Sequence, residues 1–167
     1  MAVSIQKIVP NLWFNTQAEE AARYYASIFP NSGIGRITHY GKAGNDIHGM
    51  AEGMVMTVEF TLNGQDFLAL NGGPVFAFNE AVSFIINCQT QEEADYFWDH
   101  LSQGGDPNAQ VCGWLKDKYG VSWQVIPVEF SEMMYDSDPE RSERMMEAML
   151  KMKRLDIAQL KRARDGA

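Results

Sequence analysis

The sequence predicts an α+β protein made of two βαβββ modules in tandem, followed by a C-terminal helical extension. Three observations lead to this fold class. Alternating apolar and polar residues mark strands, apolar residues three and four apart mark helices, and the order of these elements occurs twice along the chain. We place the first module at residues 1–75, a shortened second module at residues 76–130 and the extension at residues 131–167.

The first module begins with an apolar run at residues 5–15, where Leu12 and Phe14 alternate with polar or aromatic neighbours, as in a strand. Thr16 is the expected N-cap of the helix that follows, with Glu19 as its capping-box partner. The remaining elements of this module are a helix at residues 18–29 and strands at residues 34–40, 54–62 and 65–70.

A turn signal joins the last two of these strands. Asn63 and Gly64 are typical of a type I′ hairpin turn, because both central residues of that turn need a positive φ. The second module has less room, so we expect one of its strands to be short or missing. Its elements are a strand at residues 81–88, a helix at residues 89–103, a weak strand at residues 110–115 and a strand at residues 121–128.

The extension reads as two helices. Asp138 precedes a proline, which fits the first position of a helix. Met145, Met149 and Met152 form an apolar stripe along it, and a second short helix starts at Asp156. Since such a stripe must be buried against something, we interpret the extension as a lid or a dimer-packing element.

Composition excludes several classes of function. Lys and Arg number 14 against 22 Asp and Glu, a formal net charge of −8 that disfavours nonspecific binding to nucleic acid. No apolar run reaches the roughly 18 residues that a membrane span needs, and residues 1–7 lack the pattern of a secretory signal. The two cysteines cannot build a disulfide framework, so we expect a cytoplasmic location.

An internal repeat is visible when the chain is compared with itself at an offset of 72 residues. The matched pairs are Asn15 with Asn87, Gln17 with Gln89, Glu20 with Glu92, Ala22 with Ala94 and Tyr24 with Tyr96. We favour a duplication, because the order of the elements repeats as well. The alternative is chance, since junctions between strands and helices share capping and acidic residues in any case.

Several segments together resemble one known family. They are IVPNLWFN, AEEAARYYASIFPNS, the hairpin TLNGQDFLALNGG, SFIINCQTQEEADYFWDHLSQGG and WLKDKYGVSWQVIP. Over about residues 5–130 the chain resembles the PhnB-like family, also called the 3-demethylubiquinone-9 3-methyltransferase family. This family belongs to the vicinal oxygen chelate superfamily of glyoxalases, bleomycin-resistance proteins and dioxygenases. The resemblance implies paired βαβββ modules and a homodimer, but it does not imply one activity.

The resemblance also implies where a metal would bind, on the first and last strands of each module. These positions hold Val9, Pro10 and Asn11, then Leu68, then Ala81 or Val82, and finally Gln124. A divalent ion needs at least three N, O or S donors, so we expect no metal and no other cofactor. His48 and Glu52 in a glycine-containing loop could meet an ion, although a solvated loop is the favoured interpretation.

A cavity on the concave faces of the sheets is the site that this fold implies. Glu59 is the candidate general base if it is buried, and the alternative is that Thr57, Glu59 and Thr61 face water on a half-exposed sheet. The candidate ligand-binding residues, assigned by strand parity, are Asn11, Trp13, Ser83, Ser122 and Gln124.

These observations lead to a hypothesis about function. We expect a binding protein or an enzyme that takes an unknown small molecule and is not a conventional metalloenzyme. The alternative is a noncatalytic, ligand-sequestering dimer like the bleomycin-resistance proteins. Methyl transfer is disfavoured, because the sequence has no Gly-rich strand-to-helix loop followed by an acidic ribose partner.

Overall fold

The computed structural model describes residues 6–167. It divides into two compact units, the first ending at Ala77 and the second running from Phe78 to Ala167. The start of the predicted apolar run at residues 5–15, and most of the segment that lacks a secretory signal, lie outside the described residues. The predicted boundaries at residues 75 and 130 remain predictions.

The first unit contains one βαβββ module, as predicted. Its elements are β1 (Asn11–Phe14), α1 (Ala18–Ile28), β2 (Gly33–His39), the short helix α2 (Asn45–His48), β3 (Val55–Leu62) and β4 (Gln65–Asn71). The strands form a sheet in the order β1-β4-β3-β2, in which β1 is parallel to β4 and the other neighbours are antiparallel. The turn between β3 and β4 has positive φ at both Asn63 and Gly64.

The core of this unit lies between α1 and one face of the sheet. Helix α1 packs on β2, β3 and β4. On β3 the side chains of Val58, Phe60 and Leu62 are buried, whereas Glu59 and Thr61 alternate with them on the other face. This is the two-residue period that the sequence predicted. The helix contributes the buried residues Ala18, Ala21, Ala22, Tyr25 and Ile28.

The start of α1 differs from the prediction. Thr16 is not the N-cap; that position is Gln17, and its side chain makes no capping hydrogen bond. The backbone N–H of Ala18 is instead satisfied by Oδ1 of Asn71, at the end of β4, over 2.8 Å. The cap therefore comes from a distant strand, which local capping rules cannot reveal.

The second unit contains a shortened module and the helical extension. Its elements are β5 (Phe84–Cys88), α3 (Gln91–Ser102), a 3₁₀ turn (Pro107–Ala109), β6 (Trp114–Lys116), β7 (Ser122–Pro127), α4 (Val128–Met134), α5 (Pro139–Met149) and α6 (Ile157–Asp165). The sheet order is β5-β7-β6, with β5 parallel to β7 and β6 antiparallel to it. The first strand of each module is thus parallel to its last strand.

The missing strand of this module has a local cause. The predicted weak strand at residues 110–115 is regular only from Trp114, and Val111 forms an isolated bridge to that residue. Cys112 and Gly113 between them have φ values of 52° and 83°, which extended backbone cannot accommodate.

In contrast to α1, helix α3 is capped by residues next to it in the chain. Thr90 accepts a hydrogen bond from the N–H of Glu93, and the carboxylate of Glu93 accepts one from the N–H of Gln89.

The methionine stripe of the extension is already covered within its own unit. Met145 is fully buried on α5, as expected from its spacing. Asp138 and Asp156 cap α5 and α6 at the predicted positions. The buried cluster that joins the three C-terminal helices comprises Met133, Met145, Met152, Leu155 and Leu160. Most of the stripe is therefore buried within its own unit, with Met145 and Met152 in this cluster and Met149 partly buried against it.

Candidate functional site

The face of the first sheet that lies opposite α1 carries the candidate residues of the first unit. The register aligns Asn11 with Leu68 and Leu68 with Glu59 in one row across β1, β4 and β3. The next row aligns Trp13 with Leu70, and it continues through Thr57 to Thr38 on β2. Asn11, Trp13 and Glu59 thus share one sheet face, as strand parity predicted.

A cavity of about 700 Å³ opens on this unit beside the first row. That volume suits a small organic molecule. Its lining combines polar and apolar side chains with two glycines, and comprises Gln6, Val9, Gly33, Ile34, Gly35, Glu59, Phe60, Thr61, Asp66, Phe67 and Leu68. Asn11 and Trp13 are outside this lining, and lie beside it on the same face.

Glu59 is held by an ion pair. Its Oε1 accepts a hydrogen bond from Nη2 of Arg36 over 2.5 Å, and the hydrogen bond and charge of Glu59 raise the pKa of that guanidinium. The side chain of Glu59 is 45% exposed and that of Arg36 is 74% exposed. The Glu59 carboxylate therefore lacks the burial on which the general-base prediction was conditional.

The pairing of Arg36 with Glu59 depends on an irregularity in β2. The register between β2 and β3 shifts between Ile34 and Ile37, so Gly35 and Arg36 lie together opposite Glu59. A Cβ on Gly35 would approach the Glu59 Cβ and carbonyl oxygen to 3.2 Å, so a side chain there would crowd the carboxylate. The bulge therefore places Arg36 opposite Glu59, and glycine at residue 35 avoids a close contact with Glu59.

A second carboxylate, that of Asp66, lines the same cavity. Its backbone is fixed by Gln6, whose Oε1 accepts from the Asp66 N–H over 2.9 Å and whose Nε2 donates to the Asp66 carbonyl over 3.1 Å. Among residues 6–167, the lining thus contains two acidic side chains and no Lys or Arg. Parity did not single out Asp66, Gln6 or Arg36; the hairpin turn beside Asp66 was the available signal.

Trp13 is rigidly held at the far end of this face. Its Nε1–H donates to the Gly73 carbonyl over 2.9 Å, and its ring packs edge-on against Phe76 with centroids 5.0 Å apart. The ring lies over Gly72, where any Cβ would come within 2.1 Å of it. Glycine is therefore required at residue 72 for as long as the indole occupies this position.

The second sheet gathers the other three candidates on one of its own faces. Gln124 donates from Nε2 to the Ser83 hydroxyl over 2.8 Å. Ser122 lies two residues before Gln124 and is 2% exposed, and within residues 6–167 its hydroxyl has no hydrogen-bond partner. Opposite Ser122 in the register is Lys116, which pairs with Glu80.

Trp123, which lies between Ser122 and Gln124 on β7, is in the core. It is 3% exposed, and its Nε1–H donates to the buried carboxylate of Asp117 over 2.8 Å. The same carboxylate accepts from the backbone N–H groups of Tyr119 and Val121. Asp117 therefore organises the turn between β6 and β7, a structural role.

The histidines and cysteines do not assemble a metal centre in the described part of the chain. No group of three or more His, Cys, Asp or Glu side chains is close enough to hold an ion there. Both ring nitrogens of His48 are engaged by backbone groups, so His48 is not available to bind an ion together with Glu52. Burial, and then the charge of Glu93, raises the pKa of the Cys88 thiol to about 12.

The junctions that would hold a nucleoside cofactor lack the features it needs. The segment from β1 to α1 is Asn15-Thr16-Gln17, and that from β5 to α3 is Gln89-Thr90, so neither contains a glycine. The N–H of Ala18, the first residue of α1, is engaged by Asn71, and the N–H of Glu93, the third residue of α3, is engaged by Thr90. These residues do not fit a nucleoside methyl donor. In residues 6–167 no helix is long and apolar enough to cross a bilayer.

Comparison with known proteins agrees with this architecture. A PhnB protein of Bacillus cereus, described as a 3-demethylubiquinone-9 3-methyltransferase, is 40% identical to this chain. The match covers 71% of this chain and 97% of that one, with a TM-score of 0.60. The fold is also shared with protein PA1353 of Pseudomonas aeruginosa at 22% identity, 72% and 95% coverage and a TM-score of 0.54. No curated protein matches.

The family comparison is more direct. The model of the family described as 3-demethylubiquinone-9 3-methyltransferase matches residues 6–126. That range includes both sheets nearly in full, and ends before the C-terminal helices. The match confirms the resemblance that the sequence motifs indicated, and with it a fold of the vicinal oxygen chelate type. The chain belongs to the 3-demethylubiquinone-9 3-methyltransferase, or PhnB-like, family.

Proposed function

We propose that this chain binds a small organic molecule with an apolar body and a cationic group in the cavity of the first sheet. The observation that supports this most directly is the cavity itself, about 700 Å³ in volume, with apolar walls and the carboxylates of Glu59 and Asp66. A cleft with mostly apolar walls and a few placed polar groups is the usual form of a small-molecule site.

The Glu59 ion pair suits an exchange of partners. An exposed ion pair between a carboxylate and a guanidinium contributes only about 0–1 kcal/mol to stability. A ligand cation can therefore take the place of Arg36 on Glu59 at small cost, while Arg36 moves into water. The apolar body of the ligand would then lie against Val9, Ile34 and Leu68.

Binding does not require the reaction in the family name. The junctions at the two helix starts do not fit a nucleoside methyl donor, so methyl transfer stays disfavoured for this chain. A general-base role for Glu59 stays a prediction, but the partial exposure of the carboxylate and its pairing with Arg36 do not favour it. Ligand sequestration without turnover is the alternative that the cavity and its charge support equally.

A homodimer in the cytoplasm completes the proposal. Both first strands, β1 and β5, are edge strands of their sheets, and proteins usually cover such edges. On β5 the side chain of Ile85 is 58% exposed. A partner chain on these edges would bury them and would bring a further wall to the open sheet faces. Asn11 and Trp13 on the first sheet are proposed contacts to a ligand there, and Ser83, Ser122 and Gln124 are proposed contacts on the second sheet, taken by itself.

Two dyes of similar size and opposite charge test the ligand class. We expect thioflavin T, an aromatic cation, to bind at least ten times more tightly than the anion 8-anilinonaphthalene-1-sulfonate in a fluorescence titration. Glu59→Gln should weaken binding of the cation about tenfold, because it removes a charge attraction worth about 1–4 kcal/mol at about 4 Å between water and a protein surface. Arg36→Gln should strengthen it by removing the competitor.

Glu52→Gln is the matched control, since Glu52 lies in an exposed loop outside the cavity lining. It should leave both titrations unchanged. Failure of thioflavin T to bind, or equal effects of the changes at Glu59 and Glu52, would contradict the proposed site. Light scattering tests the dimer separately: a mass that stays near 18.8 kDa across micromolar concentrations would rule it out.

A further inference from the structure

The segment between β2 and β3, residues 41–53, forms a closed loop that we call the strap. Its neck is a pair of backbone hydrogen bonds, from Tyr40 N–H to the Met54 carbonyl and from Gly53 N–H to the Tyr40 carbonyl, each 2.8 Å long. The strap contains α2, whose flanking residues Gly44 and Gly49 both have left-handed backbone conformations. Its shape is therefore set by its ends and by contacts inside it.

His48 makes the central contact inside the strap. Its Nδ1 accepts a hydrogen bond from the Met50 N–H over 3.0 Å, and its Nε2 lies 3.2 Å from the Ala43 carbonyl oxygen. A backbone N–H can only donate and a carbonyl can only accept. The imidazole is consequently neutral, with its hydrogen on Nε2, and it links the two sides of the strap.

The same ring fastens the strap to the sheet. It packs on the ring of Tyr40 with centroids 4.6 Å apart, and the Tyr40 hydroxyl donates to the Asn71 carbonyl over 2.5 Å. Two residues after His48, Met50 is 9% exposed, and its methyl group lies so near Gly73 that a Cβ on Gly73 would be 2.9 Å from it. Gly73 in turn holds the Trp13 indole.

We propose that the strap is an acid-sensitive closure, which protonation of His48 releases from the end of the first sheet. A second proton would enter on Nδ1, where it would face the Met50 N–H, so two donors would oppose each other across 3.0 Å. The hydrogen bond that orders residues 48–50 would be lost. Met50 would then leave Gly73, and the Trp13 end of the sheet face would become accessible.

The surroundings of the ring do not offset this loss. Tyr40 on β2 is the titratable side chain that packs on it. The charged residues of the strap are Lys42, Asp46 and Glu52, and among the described residues none of these forms an ion pair with the imidazole. The imidazolium would thus gain no carboxylate partner to replace the lost hydrogen bond. The closure would therefore open as the solution becomes more acidic.

Hydrogen–deuterium exchange of the intact protein tests the closure. After correction for the intrinsic effect of pH on exchange, protection of residues 44–50 should fall about tenfold between pH 7.5 and pH 5.0, since one hydrogen bond is worth about that factor. Protection of residues 55–71 should not change. His48→Gln should abolish the pH dependence in the strap, and His39→Gln, at an exposed histidine on β2, should preserve it.

Two results would overturn the proposal: corrected protection of the strap that does not depend on pH in the wild-type protein, or the same pH dependence in His48→Gln. A measurement without any substitution guards against a variant that fails to fold. At pH 7.5 the ¹⁵N shifts of the His48 ring should show hydrogen on Nε2 alone. A hydrogen on Nδ1 at that pH would also refute the mechanism.

Discussion

Replacing Asn71 with alanine should destabilise the first unit far more than its single amide group suggests. Asn71 is 2% exposed, and its side chain accepts from the Ala18 N–H over 2.8 Å and donates to the Val55 carbonyl over 3.0 Å. Asn71→Ala leaves the fully buried N–H of Ala18 without a partner. An unmatched buried group costs about 1–3 kcal/mol, and the loss of the part-buried hydrogen bond to Val55 costs about 1 kcal/mol, so we expect about 2–4 kcal/mol in total.

Urea unfolding followed by far-ultraviolet circular dichroism measures this loss. Asn87→Ala is the matched control, because Asn87 also lies on a strand but is exposed. It should change the free energy of unfolding by less than about 0.5 kcal/mol. If Asn71→Ala costs less than about 1 kcal/mol, or no more than the control, the distant cap does not stabilise α1 and the reasoning fails.

Three further results are expected. Phe14→Ala should lower the free energy of unfolding by about 3–5 kcal/mol in the same assay, because Phe14 is 3% exposed; a cost below about 1 kcal/mol would mean reversed strand parity. The hydrogen bond from Arg164 lowers the pKa of Asp165 to about 2, so the NMR titration of the Asp165 carboxylate should have a midpoint near pH 2. The stabilisation of α6 by this carboxylate should be complete above about pH 4 and should be lost as the pH falls through about 2. At pH 8, 5,5′-dithiobis(2-nitrobenzoate) should modify only Cys112, since burial raises the pKa of Cys88 to about 12; two reactive thiols in the native protein would contradict this.

Local patterns predicted the parts of the fold that local chemistry determines. The alternation in residues 54–62 predicted which side of β3 faces the helix, and Asn63 and Gly64 adopt the positive φ values that their turn requires. Asp138 and Asp156 cap the two longer C-terminal helices through their own side chains. In each case the determining contacts lie within a few residues of one another, so the sequence displays them directly.

Contacts between distant residues were outside the reach of these patterns. Arg36 meets Glu59 only because a bulge in β2 shifts the register by one residue, and no composition signal marks that shift. The burial of the methionine stripe depended on how three helices pack together. Ser122 was assigned by parity, but its nearly complete burial with an unsatisfied hydroxyl depends on its neighbours in space. Such features require the assembled sheets.

The two modules also differ in when their helices can be completed. Thr90 caps α3 from the adjoining residue, so the start of that helix can form within a short peptide. Asn71 is 53 residues from Ala18, so α1 lacks its cap until β4 has docked beside β1. Contacts between distant parts of a chain slow folding, because the entropy cost of closing the loop comes before the contacts can stabilise the chain. During synthesis, therefore, the N-terminal helix would wait with a frayed first turn until the residues of β4 had left the ribosome, whereas α3 could be capped as soon as it emerged.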